Sequence, residues 1–297
     1  MKTKLNVGAS PIWNKDGWVS LDHKATRNSG KYIKGDASRI NLKDNSCAII
    51  FCSHVLEHIP HYKIQKVLIE FSRVMEKGGI LRLLTPDLFK IAKAYVEKDK
   101  EFFEQALDED ENIRKDLGYG GMFMNYIVSP GQDTLLLSRN LDEVIGGYAH
   151  IYSYDYEMIK ILLEQCGFSD VKQTPFCKSS LEELEEPLHV EGFEKKWQNF
   201  NKKFYRENNL THVYEKGKYN INFLVTGFDR DPLTSLIIEA RKDKNVNMKD
   251  LQDINSIGAN NYNRYGFSLL FDDNIVNKLS ALGISKNRIS ILKRNKR

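Results

Sequence analysis

The segment His54-Val55-Leu56-Glu57-His58 places two histidines and a glutamate at a spacing known from metal chemistry. It matches H-x-x-E-H, in which two imidazoles on one helical face bind zinc and the glutamate acts on a zinc-bound water. A strand-like apolar run reaches Cys52, and Pro60 disfavours helical backbone at Ile59, which leaves barely one helical turn. No third ligand follows at a fixed spacing, so we predict no metal site.

Small, acidic or polar residues follow four short apolar runs near the start of the chain. The runs are residues 4–7, 18–21, 32–34 and 48–52, and they lead into Gly8, Asp22, Asp36 and the pair Ser53-His54. Ligands of open α/β sheets bind at the carboxyl ends of the strands. A glycine there lets the backbone approach a ligand closely, and a carboxylate can accept hydrogen bonds from a ribose diol. The joint pattern therefore predicts a ligand site at these strand ends.

The elements that position these residues alternate between strand and helix patterns. Helical spacing begins after His61, and Gly78-Gly79 is the expected C-terminal stop. Ser153 is the expected N-cap of a later helix that ends before Gly167. Further strands are predicted at residues 80–84, 168–174 and 235–240, and residues 88–107 have a helical pattern. This alternation favours a parallel sheet with crossover connections.

The composition indicates a globular protein. Of 297 residues, 41% are hydrophobic and 28% charged, and we find no unbroken apolar run long enough for a membrane-spanning helix. Residues 1–4 lead directly into a strand-like run, without a signal-peptide pattern. The four cysteines form no C-x-x-C pair, which is typical of a reducing cytoplasm. The formal net charge of +4 does not by itself imply a nucleic-acid partner.

Taken together, these segments resemble the class I S-adenosylmethionine-dependent methyltransferases, and especially the type 11 branch found among bacterial surface-polysaccharide genes. The matching residues are 5–10, 17–22, 35–37, 53–59, 71–79, 85–87, His150, Tyr154, 166–168 and 235–240. The resemblance implies a Rossmann-like, mostly parallel seven-stranded sheet with helices on both faces and an antiparallel last strand. It also implies a methyltransferase domain at residues 1–242, with a lid insert at about 88–150 and a second insert at about 176–233. Residues 243–297 are then a C-terminal extension of unknown role.

The resemblance implies that the turn after the first strand binds the methionine end of the cofactor. The residues concerned are Asn6, Gly8, Ala9 and Ser10. The family usually has two or three glycines here, whereas this chain keeps only Gly8. Asp22 follows Gly8 by only fourteen positions, so the helix that usually intervenes must be very short or missing.

The remaining strand ends complete the implied cofactor site. Asp22 binds the ribose, Asp36 and Ala37 lie beside the adenine, and Ser53 and His54 face the sulfonium. The cofactor is then S-adenosylmethionine and the product S-adenosylhomocysteine. An NAD-dependent enzyme is disfavoured because G-x-G-x-x-G is absent.

Methyl transfer to an alcohol needs a base for the hydroxyl proton. His150 is the first candidate, since it lies between the predicted lid and the helix that follows Ser153. His54 and His58 are alternatives.

A group of tyrosines could line an acceptor pocket, because sugar rings pack well on aromatic faces. The candidates for substrate binding are Tyr148, Tyr152 and Tyr154, although packing within the lid is an equal alternative for them.

The predicted function is transfer of a methyl group to a hydroxyl of a sugar or other small polar acceptor, in surface-polysaccharide biosynthesis. The acceptor is a small molecule or a nucleotide- or lipid-linked sugar, and the location is the cytoplasm. One alternative is an RNA or protein methyltransferase, although the basic tail lacks interleaved aromatic residues. Another is a catalytically silent scaffold that binds S-adenosylmethionine, which the single glycine motivates. The sequence does not indicate an oligomeric state.

Overall fold

The computed structural model describes residues 2–9, 13, 15–23, 31–106, 118–128, 150–186, 214–215, 218–219, 227–231, 233–247, 249 and 251. The chain divides into two units, Met1–Met248 and Lys249–Arg297. The elements described below all belong to the first unit. No helix of the described part has the length and apolar character needed to cross a membrane.

The first unit alternates strands and helices along the chain. The strands are β1 (Thr3–Val7), β2 (Trp18–Asp22), β3 (Tyr32–Lys34), β4 (Cys47–Ser53), β5 (Met75–Pro86), β6 (Phe168–Gln173), β7 (Tyr214–Glu215), β8 (Lys218–Tyr219) and β9 (Ser235–Lys242). The helices are α1 (His61–Val74), α2 (Leu88–Glu97), α3 (Lys100–Ala106), α4 (Gly118–Val128) and α5 (Tyr156–Gln165). Short 3₁₀ helices cover Leu56–His58 and Glu182–Leu184.

Within the described residues, one seven-stranded sheet has the order β3-β2-β1-β4-β5-β9-β6. The pairs from β3 to β5 are parallel, and β9 runs antiparallel to both of its neighbours, β5 and β6. The predicted fold class, a mostly parallel sheet with an antiparallel last strand, is confirmed. The strand order reverses between β1 and β4, which makes the gap between their carboxyl ends the expected ligand position.

Helices α1 and α5 cover one face of the sheet. The apolar side of α1 is buried through Ile64, Val67, Leu68 and Phe71, whose three- and four-residue spacing forms a single stripe. The Nζ atom of Lys242 in β9 donates hydrogen bonds to carbonyls in and just after α1, which fixes this helix across the sheet.

The opposite face is covered differently. There a buried cluster joins Trp13 and Trp18 to Phe51 of β4 and to Phe228. Its described cover consists of irregular segments within 174–186 and 227–229 and the 3₁₀ helix Glu182–Leu184. No helix occurs among the described residues between β1 and β2, which are residues 8, 9, 13 and 15–17.

Two predicted helix boundaries are wrong. The first helix ends at Val74, and the pair Gly78-Gly79 lies inside β5, where the register against β4 shifts. Gly78 has a φ of +82°, and a Cβ on Gly79 would lie 2.9 Å from the carbonyl oxygen of Ala48, so the pair makes a bulge instead of a helix stop. The later helix starts at Tyr156, and its N-cap is Asp155 instead of Ser153.

The described part of the predicted lid insert, 88–150, contains α2, α3 and α4. The predicted single helix over 88–107 is interrupted at Lys98, which has left-handed backbone at φ 55°. These helices pack on one another through an apolar cluster of their own, formed by Ile91, Ala94, Phe102, Phe103 and Met122.

Candidate functional site

The parallel pairing brings the predicted ligand residues to one edge of the sheet. Val7 at the end of β1 pairs with Leu21 of β2 and with Cys52 of β4, so the residues that follow these strands are neighbours. Asp22 pairs with Lys34 of β3 in the same way. The structure therefore places the polar strand ends side by side, as the sequence pattern predicts.

Gly8 makes the turn after β1 and touches the loop after β4. Its φ is +72°, and its N–H donates to the carbonyl oxygen of Leu21 at 2.8 Å. A Cβ at this position would lie 2.3 Å from a methyl carbon of Val55. The left-handed backbone conformation and the close approach to Val55 each favour glycine at this position. One glycine is enough for the turn to lie against the loop that follows β4.

Two polar side chains with buried atoms flank this turn. Asn6 is almost fully buried in β1, and Ser53 ends β4. The Ser53 hydroxyl oxygen is buried and has no hydrogen-bond partner among the described residues. A buried hydroxyl without a partner is costly, so a polar ligand atom at the strand switch point suits Ser53. These residues fit the methionine end of the predicted cofactor. Ala9 is buried beside them, and Ser10 lies outside the described residues.

The two acidic strand-end residues differ in environment. The Asp22 carboxylate is largely buried and lies 3.6 Å from Nδ1 of His23. Asp36 is exposed and accepts a 2.7 Å hydrogen bond from the N–H of Ser38. Partial burial raises its pKa, but the Ser38 hydrogen bonds and the charges of Lys63 and Lys66 outweigh burial and hold the pKa below its usual range. Asp36 can thus accept hydrogen bonds as a charged carboxylate, and Ala37 beside it is half-buried.

Beyond Gly8, three histidines and a glutamate form what we call the polar cluster: His54, Glu57, His58 and His150. His150 is distant in sequence but is brought in by the backbone, because the N–H of Ile151 donates to the Glu57 carbonyl at 2.8 Å. The His58 and His150 rings meet edge to face, with centroids 5.1 Å apart. The structure therefore joins all three histidines that the sequence offers as bases.

Glu57 is the centre of the polar cluster. Its side chain is 1% exposed, its Oε2 accepts from the Thr85 hydroxyl at 3.3 Å, and its Oε1 lies 3.0 Å from Nδ1 of His54. Burial raises the pKa of Glu57, but the contact with the His54 imidazole, followed by the charges of His58 and His150, outweighs burial and lowers it to about 2. The carboxylate is therefore ionised at neutral pH.

The histidines have different partners. His54 places Nδ1 against Glu57 and Nε2 3.0 Å from the Ser235 hydroxyl and 3.7 Å from a carboxylate oxygen of Asp231. Nδ1 of His150 lies within hydrogen-bond distance, 3.0 Å, of the carbonyl oxygen of Tyr126. Because a carbonyl only accepts, Nδ1 of His150 carries the proton, and in the neutral ring Nε2 keeps a lone pair. His150 is thus better placed than His54 to accept a proton or bind a cation.

The predicted acceptor tyrosines pack around His61. The Tyr152 ring stacks on the His61 ring with centroids 4.1 Å apart, and Tyr154 lies 5.0 Å from Tyr152. Tyr154 is fully buried and Tyr152 half-buried, so Tyr152 is the more accessible of the two. Tyr148 lies outside the described residues. Contact with an acceptor stays a prediction for all three.

Three residues at the polar cluster escape the sequence analysis as site residues. Thr85 ends β5 beside Glu57, and its position in the segment Thr85-Pro86-Asp87 is a signal that strand-end reasoning could have used. Ser235 and Asp231 approach His54 from the start of β9 and the loop before it. No local pattern distinguishes Asp231 from other loop acids, because only the antiparallel placement of β9 brings it here.

Residues 15–83 match the family described as a methyltransferase domain. The match covers β2 to β4 and most of β5, which is less than half of the chain. No curated protein matches the sequence.

Solved structures of similar fold include several methyltransferases. One is an S-adenosylmethionine-dependent methyltransferase from Archaeoglobus fulgidus, at 15% identity and a TM-score of 0.38, with 81% of this chain and 86% of that chain covered. Another is from Mesorhizobium loti, at 12% identity, TM-score 0.39, and 81% and 90% coverage. A third is phosphoethanolamine N-methyltransferase 2 from Haemonchus contortus in complex with S-adenosyl-L-methionine, at 13% identity, TM-score 0.36, and 82% and 49% coverage. Similarities this low carry no conclusion about ligand or acceptor.

Proposed function

We propose that this protein is a methyltransferase that uses S-adenosylmethionine. The observation that carries the proposal is the match of residues 15–83 to a methyltransferase domain, on a sheet whose predicted ligand residues lie together at the strand switch point. The buried Ser53 hydroxyl and the close approach at Gly8 support a ligand there independently of the match.

The strand ends bind and orient the cofactor. Asn6, Gly8 and Ser53 hold its methionine end, Asp22 accepts hydrogen bonds from the ribose hydroxyls, and Asp36 lies beside the adenine. When bound, S-adenosylmethionine supplies a methyl group on a positively charged sulfur. Alignment of an acceptor with this group contributes roughly 7–11 kcal/mol when the reacting atoms are held close and in line.

The polar cluster activates the acceptor. As the acceptor oxygen bonds to the methyl carbon, the carbon–sulfur bond breaks, its electron pair stays on sulfur, and the hydroxyl proton leaves. Nε2 of His150 has a lone pair for this proton, and the ionised carboxylate of Glu57 lies in the same cluster.

The acceptor is a hydroxyl of a sugar or of another small polar molecule, free or linked to a nucleotide or lipid. Support comes from the half-buried Tyr152 beside the polar cluster, whose ring gives a sugar an aromatic face. A role in surface-polysaccharide synthesis rests on the resemblance of the sequence alone.

Methyl-labelled S-adenosylmethionine tests the proposal. Wild-type protein is incubated with separated nucleotide-sugar, polysaccharide, RNA and protein fractions from cells of the source organism. Label should enter a carbohydrate fraction. Label in RNA or protein would contradict the acceptor class, and no transfer together with no cofactor binding would contradict the function.

His150→Ala tests the role of the polar cluster in the same assay. We expect turnover to fall by about 10²–10⁴-fold while affinity for S-adenosylhomocysteine stays unchanged. Lys160→Ala, an exposed position on α5, is the matched control and should keep full turnover. An unaffected rate in His150→Ala would show that His150 does not act on the acceptor.

A further inference from the structure

Three side chains of the polar cluster lie close enough together to hold one metal ion. A carboxylate oxygen of Glu57 and one ring nitrogen each of His58 and His150 all lie within 4.8 Å of one another. The sequence gives no third ligand at a fixed spacing from His54-Val55-Leu56-Glu57-His58. The fold supplies one, because the Ile151–Glu57 backbone hydrogen bond holds His150 against this segment.

His150 is oriented as a ligand by its other nitrogen. Nδ1 donates to the Tyr126 carbonyl at 3.0 Å, which fixes the ring and leaves Nε2 for a cation. Metal-binding histidines nearly always donate their second N–H to a carbonyl or carboxylate in this way.

Glu57 has an oxygen that lacks a hydrogen bond. Oε2 accepts from Thr85, whereas Oε1 lies near Nδ1 of His54 without hydrogen-bond geometry and has no hydrogen-bond partner among the described residues. The Glu57 side chain is 1% exposed, so water cannot easily supply the missing hydrogen bond to Oε1. A bound cation would satisfy it.

From this geometry, we propose that Glu57, His58 and His150 bind one divalent first-row metal ion and leave a coordination position open. One carboxylate oxygen and two imidazole nitrogens suit Zn²⁺, Co²⁺, Mn²⁺ or Fe²⁺ better than Ca²⁺ or Mg²⁺, which prefer oxygen ligands. Three protein ligands with a free position are typical of catalytic metal sites.

The ligand set differs from that of the zinc hydrolases that H-x-x-E-H suggests. There both histidines of the pattern bind zinc and the glutamate does not. Here His54 is not in the group of side chains whose ligand atoms lie together: its Nδ1 is 3.0 Å from Oε1 of Glu57 without hydrogen-bond geometry, and its Nε2 lies near Ser235 and Asp231. The glutamate takes its place as a ligand.

The open position would bind an oxygen of the acceptor. A hydroxyl on a divalent ion gives up its proton to bulk water more readily, so in the loaded protein the ion would replace Nε2 of His150 in activating the acceptor. This role rests on the proposed function, whereas binding of the ion does not.

Titration of metal-free full-length protein with Co²⁺, followed by visible absorption and calorimetry, tests the site. We expect one equivalent to bind, with the absorption bands of a site of low coordination number, and Zn²⁺ to displace it. Absence of stoichiometric binding, or binding by many weak sites only, would overturn the proposal.

The variants Glu57→Gln, His58→Ala and His150→Ala should each weaken Co²⁺ binding by more than about tenfold, because loss of even an outer-shell partner costs 10–100-fold. His61→Gln is the matched control and should bind Co²⁺ as the wild type does. This histidine lies near the site, stacked on the Tyr152 ring, but is not one of the proposed ligands. Circular dichroism identifies variants that fail to fold. If Glu57→Gln does not fold, the variants of His58 and His150 still test the site, because these two side chains are only half-buried. Equal Co²⁺ affinity in folded variants and wild type would overturn the assignment.

S-adenosylhomocysteine binding, measured on the same samples, separates the two proposals. Cofactor binding without Co²⁺ binding overturns only the metal site. Co²⁺ binding without cofactor binding supports the metal site and counts against the methyltransferase.

Discussion

At the scale of single residues, Gly8 explains how a turn with one glycine fits the cofactor site that we propose. Its left-handed backbone and its approach to Val55 join the ends of β1 and β4 across the strand switch point. Position 9 does not need a second glycine. Ala9 is buried there, directly after Gly8, whose N–H donates to the carbonyl oxygen of Leu21.

Gly8→Ala should destabilise the protein for two separable reasons. Left-handed backbone costs a non-glycine residue roughly 1–2 kcal/mol, and the overlap with Val55 adds roughly 1–3 kcal/mol. Val55→Ala in the same chain should recover only the second part. Urea unfolding of the two single variants and the double variant measures both. Full recovery in the double variant would show that backbone conformation is unimportant here.

Local pattern predicted which acidic residues lie at the ends of neighbouring strands, but not the contacts of the polar cluster. Asp22 and Asp36 could be predicted because each follows an apolar run, and parallel pairing then brings such ends together. The contact of His150 with Glu57 could not be predicted in this way, because it depends on a backbone hydrogen bond between segments that are far apart in sequence. Asp231 joins His54 for a similar reason.

At the scale of elements, the sheet face without a described helix is held by a buried ion network. Arg82, in the middle of β5, donates to both carboxylate oxygens of Asp229 and to Glu239 of β9, and all three side chains are almost completely buried. It also donates to Thr174 and to the carbonyl of Lys178. The network therefore ties the segments that cover this face to the central strands.

Arg82→Met should lower the free energy of unfolding by about 3–5 kcal/mol, because it leaves the buried Asp229 carboxylate without a cation. Adding Asp229→Asn should recover part of the loss. Arg241→Met is the matched control in β9, where the guanidinium is half-exposed, and should cost less than about 1 kcal/mol. Denaturant unfolding measures both variants. An equal decrease in the free energy of unfolding for Arg82→Met and Arg241→Met would contradict the role of the network.

The element boundaries show why periodicity alone was insufficient. The apolar spacing of α1 continues through Met75, yet Met75 already pairs with Cys47 in the sheet. Tertiary pairing thus overrides helical pattern at this boundary. The covering role of residues 174–186 and 227–229 had no sequence signal, since irregular segments lack a period.

At the scale of the whole molecule, contacts within the first unit continue past Lys242, the last residue of β9. The N–H groups of Asp243 and Lys244 donate to the carbonyl of Gly167 after α5, and the Ser72 hydroxyl donates to the carbonyl of Lys244. Gly167 itself leaves no room for a side chain, because a Cβ would lie 2.2 Å from the Lys244 oxygen.

A chain of residues 1–248 should therefore fold cooperatively, since all strands of the sheet lie within it. A chain ending at residue 242 loses three hydrogen bonds of about 1 kcal/mol each and should melt roughly 5–10 °C lower. Thermal unfolding by circular dichroism compares the two. Equal melting temperatures would show that residues 243–248 do not belong to the unit.

Binding of S-adenosylhomocysteine tests the central claim most directly. Thermal unfolding and calorimetry are measured with this ligand and with NAD, for the wild type and Asp22→Ala. Ligand at 100 times its Kd should stabilise the wild type by about 2.7 kcal/mol, a shift of roughly 5–10 °C, and NAD should not. Asp22→Ala should bind more than about tenfold more weakly, as expected for the loss of hydrogen bonds to a charged acceptor. No shift with millimolar S-adenosylhomocysteine, or an equal shift with NAD, would contradict the methyltransferase, and unchanged affinity in Asp22→Ala would contradict the ribose assignment.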